Sequence, residues 1–268
     1  MSLDAARPIA ERVRHELKFR IATVIRSERV TPGMARITLT HPSFSEFPSA
    51  SYDDHVKLFF APQGAELVMP QPGPNGLDWP EGAPRPEGRD YTPRRFDKAR
   101  AEVVIDFVLH GDGPAASWAA NARPGDTLGF GGPRGSFVVR DDLDYYVLIG
   151  DETALPAIGR RIEELPAATP VIALIEVADP AEQQLFETRA NAAITWLPRS
   201  AGGPTLLEAA KAVSLPAGVG YIFVAGESAT SSAIREHFVT ERGHPADRIK
   251  AAGYWRRGDA DFDDGHAH

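Results

Sequence analysis

The chain has 268 residues, 29 lysines and arginines against 37 aspartates and glutamates, a formal net charge of −8, and no cysteine. That length allows one large or two ordinary domains, and the acidic balance argues against a general nucleic-acid binder, which needs a basic footprint. The lack of cysteine excludes disulfides, thiolate zinc sites, cysteine-ligated iron–sulfur clusters and a cysteine nucleophile, so redox chemistry requires a borrowed cofactor.

The opening segment, "MSLDAARPIAERVRHELKFR", has no apolar core of signal-peptide type, and no run of about 18 apolar residues follows. The expectation is a cytoplasmic, membrane-free protein. In chain order, "FRIATVIRSERV" and "MARITLT" read as strands about a Thr31-Pro32-Gly33 turn, and "HVKLFFA", "RDYTPRRF" and "AEVVIDFVLH" continue the pattern. Such a series predicts an antiparallel barrel. Between these strands, "PQPGPNGLDWPEGAPRPEG" is too rich in proline and glycine for regular structure and reads as a surface loop, which either covers a site or simply wanders.

After "GPRGSFVVRDD" the pattern changes. "DYYVLIG", "PVIALIEV", "NAAITWLP" and "GYIFVAGE" read as strands, with "RIKAAGYWRRG" after them; "TALPAIGRRIEEL", "PTLLEAAKAV" and "SATSSAIREHFV" read as helices. The first helix places Leu155, Ile158, Ile162 and Leu165 on one stripe. Strands alternating with helices predict a parallel sheet of βαβ units. The boundary is expected near Asp141 to Asp144, giving domains 1–141 and 142–268. The end, "DADFDDGHAH", reads as a frayed acidic tail. His266 and His268, with Asp259, Asp261, Asp263 and Asp264, have the composition of a metal tract but no ligand ladder, so no metal site is expected.

Within "GRDYTPRRFD", an extended backbone puts Arg89 and Tyr91 on one face and Thr92 and Arg94 on the other. Such a strip suits a flat anion; it equally suits a solvated edge strand. In "GPAASWA" a turn enters a helix with Pro114 in its first turn, which directs the Ala116 and Ser117 backbone N–H groups at a phosphate or leaves an ordinary capped helix with Trp118 in the core. His110, at the end of its strand, is either a ligand contact or a core histidine. "GDETALPAI" stands at the first turn of the parallel sheet, where a nucleotide binds. Two carboxylates there, Asp151 and Glu152, oppose a diphosphate. "AGESATSS" is the matching later turn, with plain N-capping by Ser228 as its alternative reading.

These segments, in this order, resemble the siderophore-interacting protein family. Arg89, Tyr91, Thr92 and Arg94 match its flavin motif; His110, Gly113, Pro114, Ala116, Ser117 and Trp118 match a second segment; "GPRG", "GDETALPAI", "AGE" and "GYWRRG" follow, from about Phe19 to Gly258. The resemblance implies an N-terminal antiparallel FAD-binding β-barrel, a C-terminal parallel-sheet α/β domain binding NAD(P)H, and reduction of an Fe(III)-siderophore to Fe(II).

On the same analogy Arg89 meets the FAD diphosphate, Tyr91 packs on the flavin, Thr92 stands near flavin N5 as the catalytic candidate, and Arg94 lies near the ring or phosphates. His110, Ala116 and Ser117 complete the flavin contacts. Asp151, Thr153, Ala154, Gly226 and Glu227 face the nicotinamide nucleotide. Arg199 is the candidate reader of a 2′-phosphate with Ser200 beside it, and Glu176 the alternative holder of a ribose hydroxyl. NADPH, NADH and ferredoxin stay open as electron donors. Lys57 and Arg134, with Arg95 and Arg256, are the expected contacts of an anionic, catecholate-type chelate, and the chain is expected to be a monomer. Two rivals remain: a general NAD(P)H:acceptor flavoreductase, and a non-catalytic ferric-chelate binding protein.

Overall fold

The computed structural model describes residues 7–62, 64–73, 76–111, 113–259 and 262; the candidate metal tract at His266 and His268 lies outside them. Two compact units emerge: Arg12–Val138, and the chain from Val139 onward together with the segment ending at Glu11. The expected division near Asp141 comes slightly earlier, at Val138, and the segment before Arg12 joins the second unit. Its attachment is by backbone: the Arg140 N–H donates to the Ile9 carbonyl at 3.0 Å and the Arg140 guanidinium to the Arg7 carbonyl at 3.2 Å.

The first unit contains β1 (Ala10–Arg14, straddling the division), β2 (Phe19–Thr31), β3 (Met34–Thr40), β4 (Val56–Phe60), β5 (Gln71–Gly73), β6 (Gly76–Asp78), β7 (Glu87–Tyr91), β8 (Pro93–Asp97) and β9 (Glu102–Val108). Helix α1 (Pro114–Asn121), β10 (Thr127–Gly131) and β11 (Gly135–Val139) follow. Seven strands form an antiparallel sheet in the order β7-β4-β10-β2-β3-β9-β8. Its two edges, β7 and β8, are neighbours in sequence joined through Thr92. A sheet whose edge strands are separated by one residue must curl until its edges meet, and this is how the expected barrel forms. Inside it Phe44, Phe47, Phe107 and Phe130 are fully buried, each contributing about 1.5–3 kcal/mol.

The proline-rich stretch contains more order than its composition suggests, because β5 and β6 pair antiparallel. It is seated on the sheet: the Trp79 ring meets Phe59 edge-on at 6.0 Å, and the Arg85 guanidinium lies 5.9 Å from the Trp79 centroid.

The second unit contains β12 (Tyr145–Gly150), α2 (Leu155–Glu164), β13 (Pro170–Val177), β14 (Asn191–Pro198), α3 (Leu206–Lys211), β15 (Gly220–Glu227), α4 (Ser228–Glu236) and β16 (Ile249–Trp255). All five strands are parallel, in the order β14-β13-β12-β15-β16. The α2 stripe Leu155, Ile158, Ile162 and Leu165 is buried, as its spacing predicts. The chain moves outward one way from β12 and then returns to β15. The crevice at the carboxyl ends of those two strands is therefore the switch point of an open parallel sheet, where ligands bind.

Candidate active site

In the first unit the extended strip is interrupted. Alternation predicts Thr92 and Arg94 on one face, yet Thr92, Pro93 and Arg94 are all buried in succession. The reason is the passage from one sheet edge to the other at Thr92, together with a register shift between Pro93 and Arg95. Arg89 and Tyr91 stay on one half-buried face. Arg89 donates to the Glu87 carboxylate at 3.0 Å and the Gly88 carbonyl at 2.9 Å. The Tyr91 ring lies 4.6 Å from Phe107, and burial pushes its hydroxyl pKa up despite the nearby Arg89 charge. Arg94 is turned inward beside Asp106 at 3.9 Å, and Asp106 also takes a bidentate pair from Arg36 at 2.7 Å.

Phe107 links this strip to α1. Its ring lies 5.8 Å from Trp118, which also meets Phe60 at 5.8 Å, so Trp118 packs on the core as its alternative reading has it. Gly113 is the N-cap of helix α1, Pro114 lies in its first turn, and no side chain among the described residues caps it. The Ala115 and Ala116 N–H groups have no intrahelical acceptor, whereas the Ser117 N–H already donates to the Gly113 carbonyl at 2.9 Å. Ser117 and His110 are exposed. The α1 start and Tyr91 are joined through Trp118 and Phe107, and Arg89 stands two residues before Tyr91 on the same strand; donors and an aromatic ring of this kind fit a diphosphate joined to a flat ring.

At the switch point of the second unit, Asp151 is 4% exposed and turned into the protein. One carboxylate oxygen accepts from the Thr153 N–H at 2.9 Å and hydroxyl at 2.5 Å; the other accepts from the Glu227 N–H at 3.1 Å and the Trp255 indole at 2.8 Å. Burial raises its pKa, and these donors oppose the shift. Gly226, at φ +142°, makes the approach possible, since a Cβ there would stand 2.5 Å from an Asp151 oxygen. Ala154, buried, starts α2.

Glu152 is engaged as well: Arg199 pairs with it through both terminal nitrogens, one at 2.9 Å, and reaches Glu176 at 3.1 Å. Ser200 donates to Asp179 at 2.9 Å. The cap of α4 differs from expectation. Glu227 rather than Ser228 is the N-cap, accepting from the Thr230 N–H at 2.8 Å, because the helix starts at Ser228 itself.

Comparison with known proteins decides the family. Residues 23–137 match the siderophore-interacting FAD-binding domain, and residues 143–258 match the siderophore-interacting protein model. The chain is 41% identical to the NADPH-dependent ferric-chelate reductase of Escherichia coli (strain K12), covering 91% of this chain and 96% of that one. The chain belongs to the siderophore-interacting protein family. It is also 32% identical to the ferric vibriobactin reductase of Vibrio cholerae, over 89% of this chain and 90% of the relative. A siderophore utilization protein from T. fusca superposes with a TM-score of 0.86 at 40% identity, covering 95% and 98% of the two chains.

The candidate chelate contacts have different surroundings within their own units. Lys57 on β4 stands opposite Gly131, three residues before Arg134, and pairs with Asp90 at 3.0 Å. Arg134 is exposed on a loop braced along its backbone. Buried Arg20 donates to the Gly132 carbonyl at 2.9 Å, the His15 N–H donates to the Arg134 carbonyl at 2.9 Å, and Ser136 donates to Asp54 at 2.7 Å. Arg95 lines a cavity of about 370 Å³ together with Arg26, Arg36 and Arg100 and the acids Glu28, Asp97 and Glu102. Arg256 belongs to the second unit, where its guanidinium lies 4.5 Å from the Phe262 centroid.

Asp54, Ser136 and Trp255 carry positions that the sequence reading did not single out. The signal for Trp255 was its place in "GYWRRG", and that for Asp54 a serine-rich "SASYDD" able to satisfy a buried carboxylate. Among the described residues no helix is long and apolar enough to cross a membrane.

Proposed function

We propose that this chain is a cytoplasmic, NAD(P)H-dependent, FAD-containing reductase that converts an Fe(III)-siderophore to Fe(II). The observation that carries the reading is that the start of α1, which no side chain among the described residues caps, is linked through Trp118 and Phe107 to Tyr91 on the strip that also carries Arg89, inside the segment matched by the FAD-binding domain. FAD, when bound, supplies the conversion of a two-electron hydride donor into single electrons, so one NAD(P)H serves two Fe(III). Arg89 and the α1 backbone hold the diphosphate. Tyr91, braced by Phe107, would pack against the flavin, and Thr92, at the junction of β7 and β8, would offer it a hydroxyl or N–H. Arg94 acts from within by fixing the strand junction against Asp106. His110 and Ser117 line the approach.

In the second unit Asp151, Thr153, Ala154, Gly226 and Glu227 shape the turn that takes the nicotinamide nucleotide. The acids do not repel its diphosphate as their bare charges would, since Asp151 is enclosed by donors and Glu152 is paired. Lys57 and Arg134 draw in an anionic chelate of catecholate type despite the acidic net charge. Release follows reduction because hard oxygen chelators hold Fe(III) better than Fe(II). The chain works as a monomer with no base or nucleophile.

The test is Fe(II) production, trapped by a ferrous-specific dye, with a ferric catecholate compared against quinone and dye acceptors. Turnover of the ferric chelate well above the others is expected. Equal turnover of all acceptors identifies a general flavoreductase; a colourless protein that binds the chelate without flavin is a binding protein. Bleaching only by reduced ferredoxin would replace the nicotinamide donor.

A further inference from the structure

The crevice beyond β12, β13 and β14 combines one arginine with several acids. Glu152 follows β12, Glu176 ends β13, and Arg199 follows β14, so a single guanidinium ties the carboxyl ends of three adjacent strands. Ser200, which would assist in binding a phosphate, is committed to Asp179. The trio carries a net charge of −1 before Asp179 is added. A ribose bearing a free 2′-hydroxyl gains from this arrangement, since a carboxylate at a strand end accepts that hydroxyl; a 2′-phosphate does not, because it needs the arginine.

The side-chain exposures indicate which partner moves. Those of Glu152 and Glu176 are 19% and 23% exposed, against 44% for Arg199. The two carboxylates are held against the sheet ends while the longer guanidinium arm projects into solvent and can rotate.

We propose that Glu152 and Glu176 are specificity determinants that compete with a nucleotide 2′-phosphate for Arg199, and so reduce the advantage of NADPH over NADH. The proposal rests on the reading of this crevice as the nicotinamide nucleotide site. NADPH binds by taking Arg199 from its two carboxylates, whereas NADH leaves the trio intact and hydrogen-bonds to Glu176. The two glutamates therefore weaken 2′-phosphate recognition in direct proportion to how well they hold the arginine.

The experiment measures dissociation constants of 2′,5′-ADP and 5′-ADP for the oxidised holoprotein by calorimetry, for the native chain, Glu152→Gln, Glu176→Gln, Arg199→Ala, and each glutamine variant combined with Arg199→Ala. Each glutamine variant is expected to raise the preference for 2′,5′-ADP over 5′-ADP by about fivefold, the scale of one exposed ion pair. Arg199→Ala is expected to lower that preference and to cancel the effect of either glutamine. A preference unchanged in both glutamine variants, or raised equally when Arg199 is absent, overturns the proposal while leaving the reductase reading intact. If neither nucleotide binds a native protein that retains its flavin, the crevice is not the nucleotide site, and the proposal falls with that part of the functional reading.

Discussion

Helix α1 in the first unit begins with backbone donors that no side chain among the described residues caps. In the second unit the corresponding groups are already engaged: α4 is capped by Glu227, Asp151 is surrounded by four donors, and Arg199 is shared between two acids. The difference teaches how one acidic chain handles two anionic nucleotides. On the proposed reading, the FAD diphosphate is matched by donors that await it. A co-substrate that must leave meets groups that have internal partners to return to, which limits its affinity.

The sharpest way to break this comparison is to empty the second unit's hub. Asp151→Ala leaves the Trp255 indole, the Glu227 N–H and the Thr153 donors without acceptors, and should destabilise the protein by about 3–5 kcal/mol in chemical denaturation. A neutral effect would mean that the hub is incidental. In the first unit, Arg89→Ala or Tyr91→Ala should weaken flavin retention roughly 10–100-fold, with the flavin-free form of Arg89→Ala keeping a nearly unchanged denaturation midpoint and Tyr91→Ala losing some stability with its packing on Phe107. Full flavin occupancy in both variants would remove the strip from the site.

Smaller in scale, Lys57→Ala combined with Arg134→Ala should raise KM for an anionic ferric chelate about five- to tenfold without altering flavin content. Unchanged kinetics would dissolve the proposed basic corner.

The last test uses another buried aspartate, Asp54. Asp54 is unlike Asp151: one of its oxygens accepts from Ser49, Ala50, Ser51 and Ser136, and the other has no partner among the described residues. Burial raises its pKa above the ordinary carboxylate value. A raised folded-state pKa means that protonation favours the folded state, so this contribution is fully present below the unfolded value and is lost as pH rises through the folded one. The native chain should therefore gain stability relative to Asp54→Asn as pH falls from 7 toward 4, read from denaturation midpoints of the pair. A gap that narrows on acidification would contradict the assignment.

Much of this was legible from residue order. Strand and helix segments follow from turn-bounded apolar runs, and the α2 stripe from its spacing, because both are local patterns. What escaped depends on partners far along the chain. Alternation in "RDYTPRRF" cannot reveal that the segment crosses between sheet edges at Thr92, which depends on β4 and β9 lying at opposite sides of the sheet. The pairing of Asp151 with Glu227 and Trp255 spans 76 and 104 residues, so a sequence shows two adjacent acids and not their neutralisation.

The most direct measurement is the visible absorption spectrum of the purified protein under anaerobic conditions, followed as NADPH or NADH and then a ferric catecholate are added. The account predicts a bound-flavin spectrum that bleaches with the nucleotide and recovers on adding the chelate, with two Fe(II) trapped for each nucleotide oxidised. A protein without flavin, or a bleached flavin that the chelate fails to reoxidise, would contradict it.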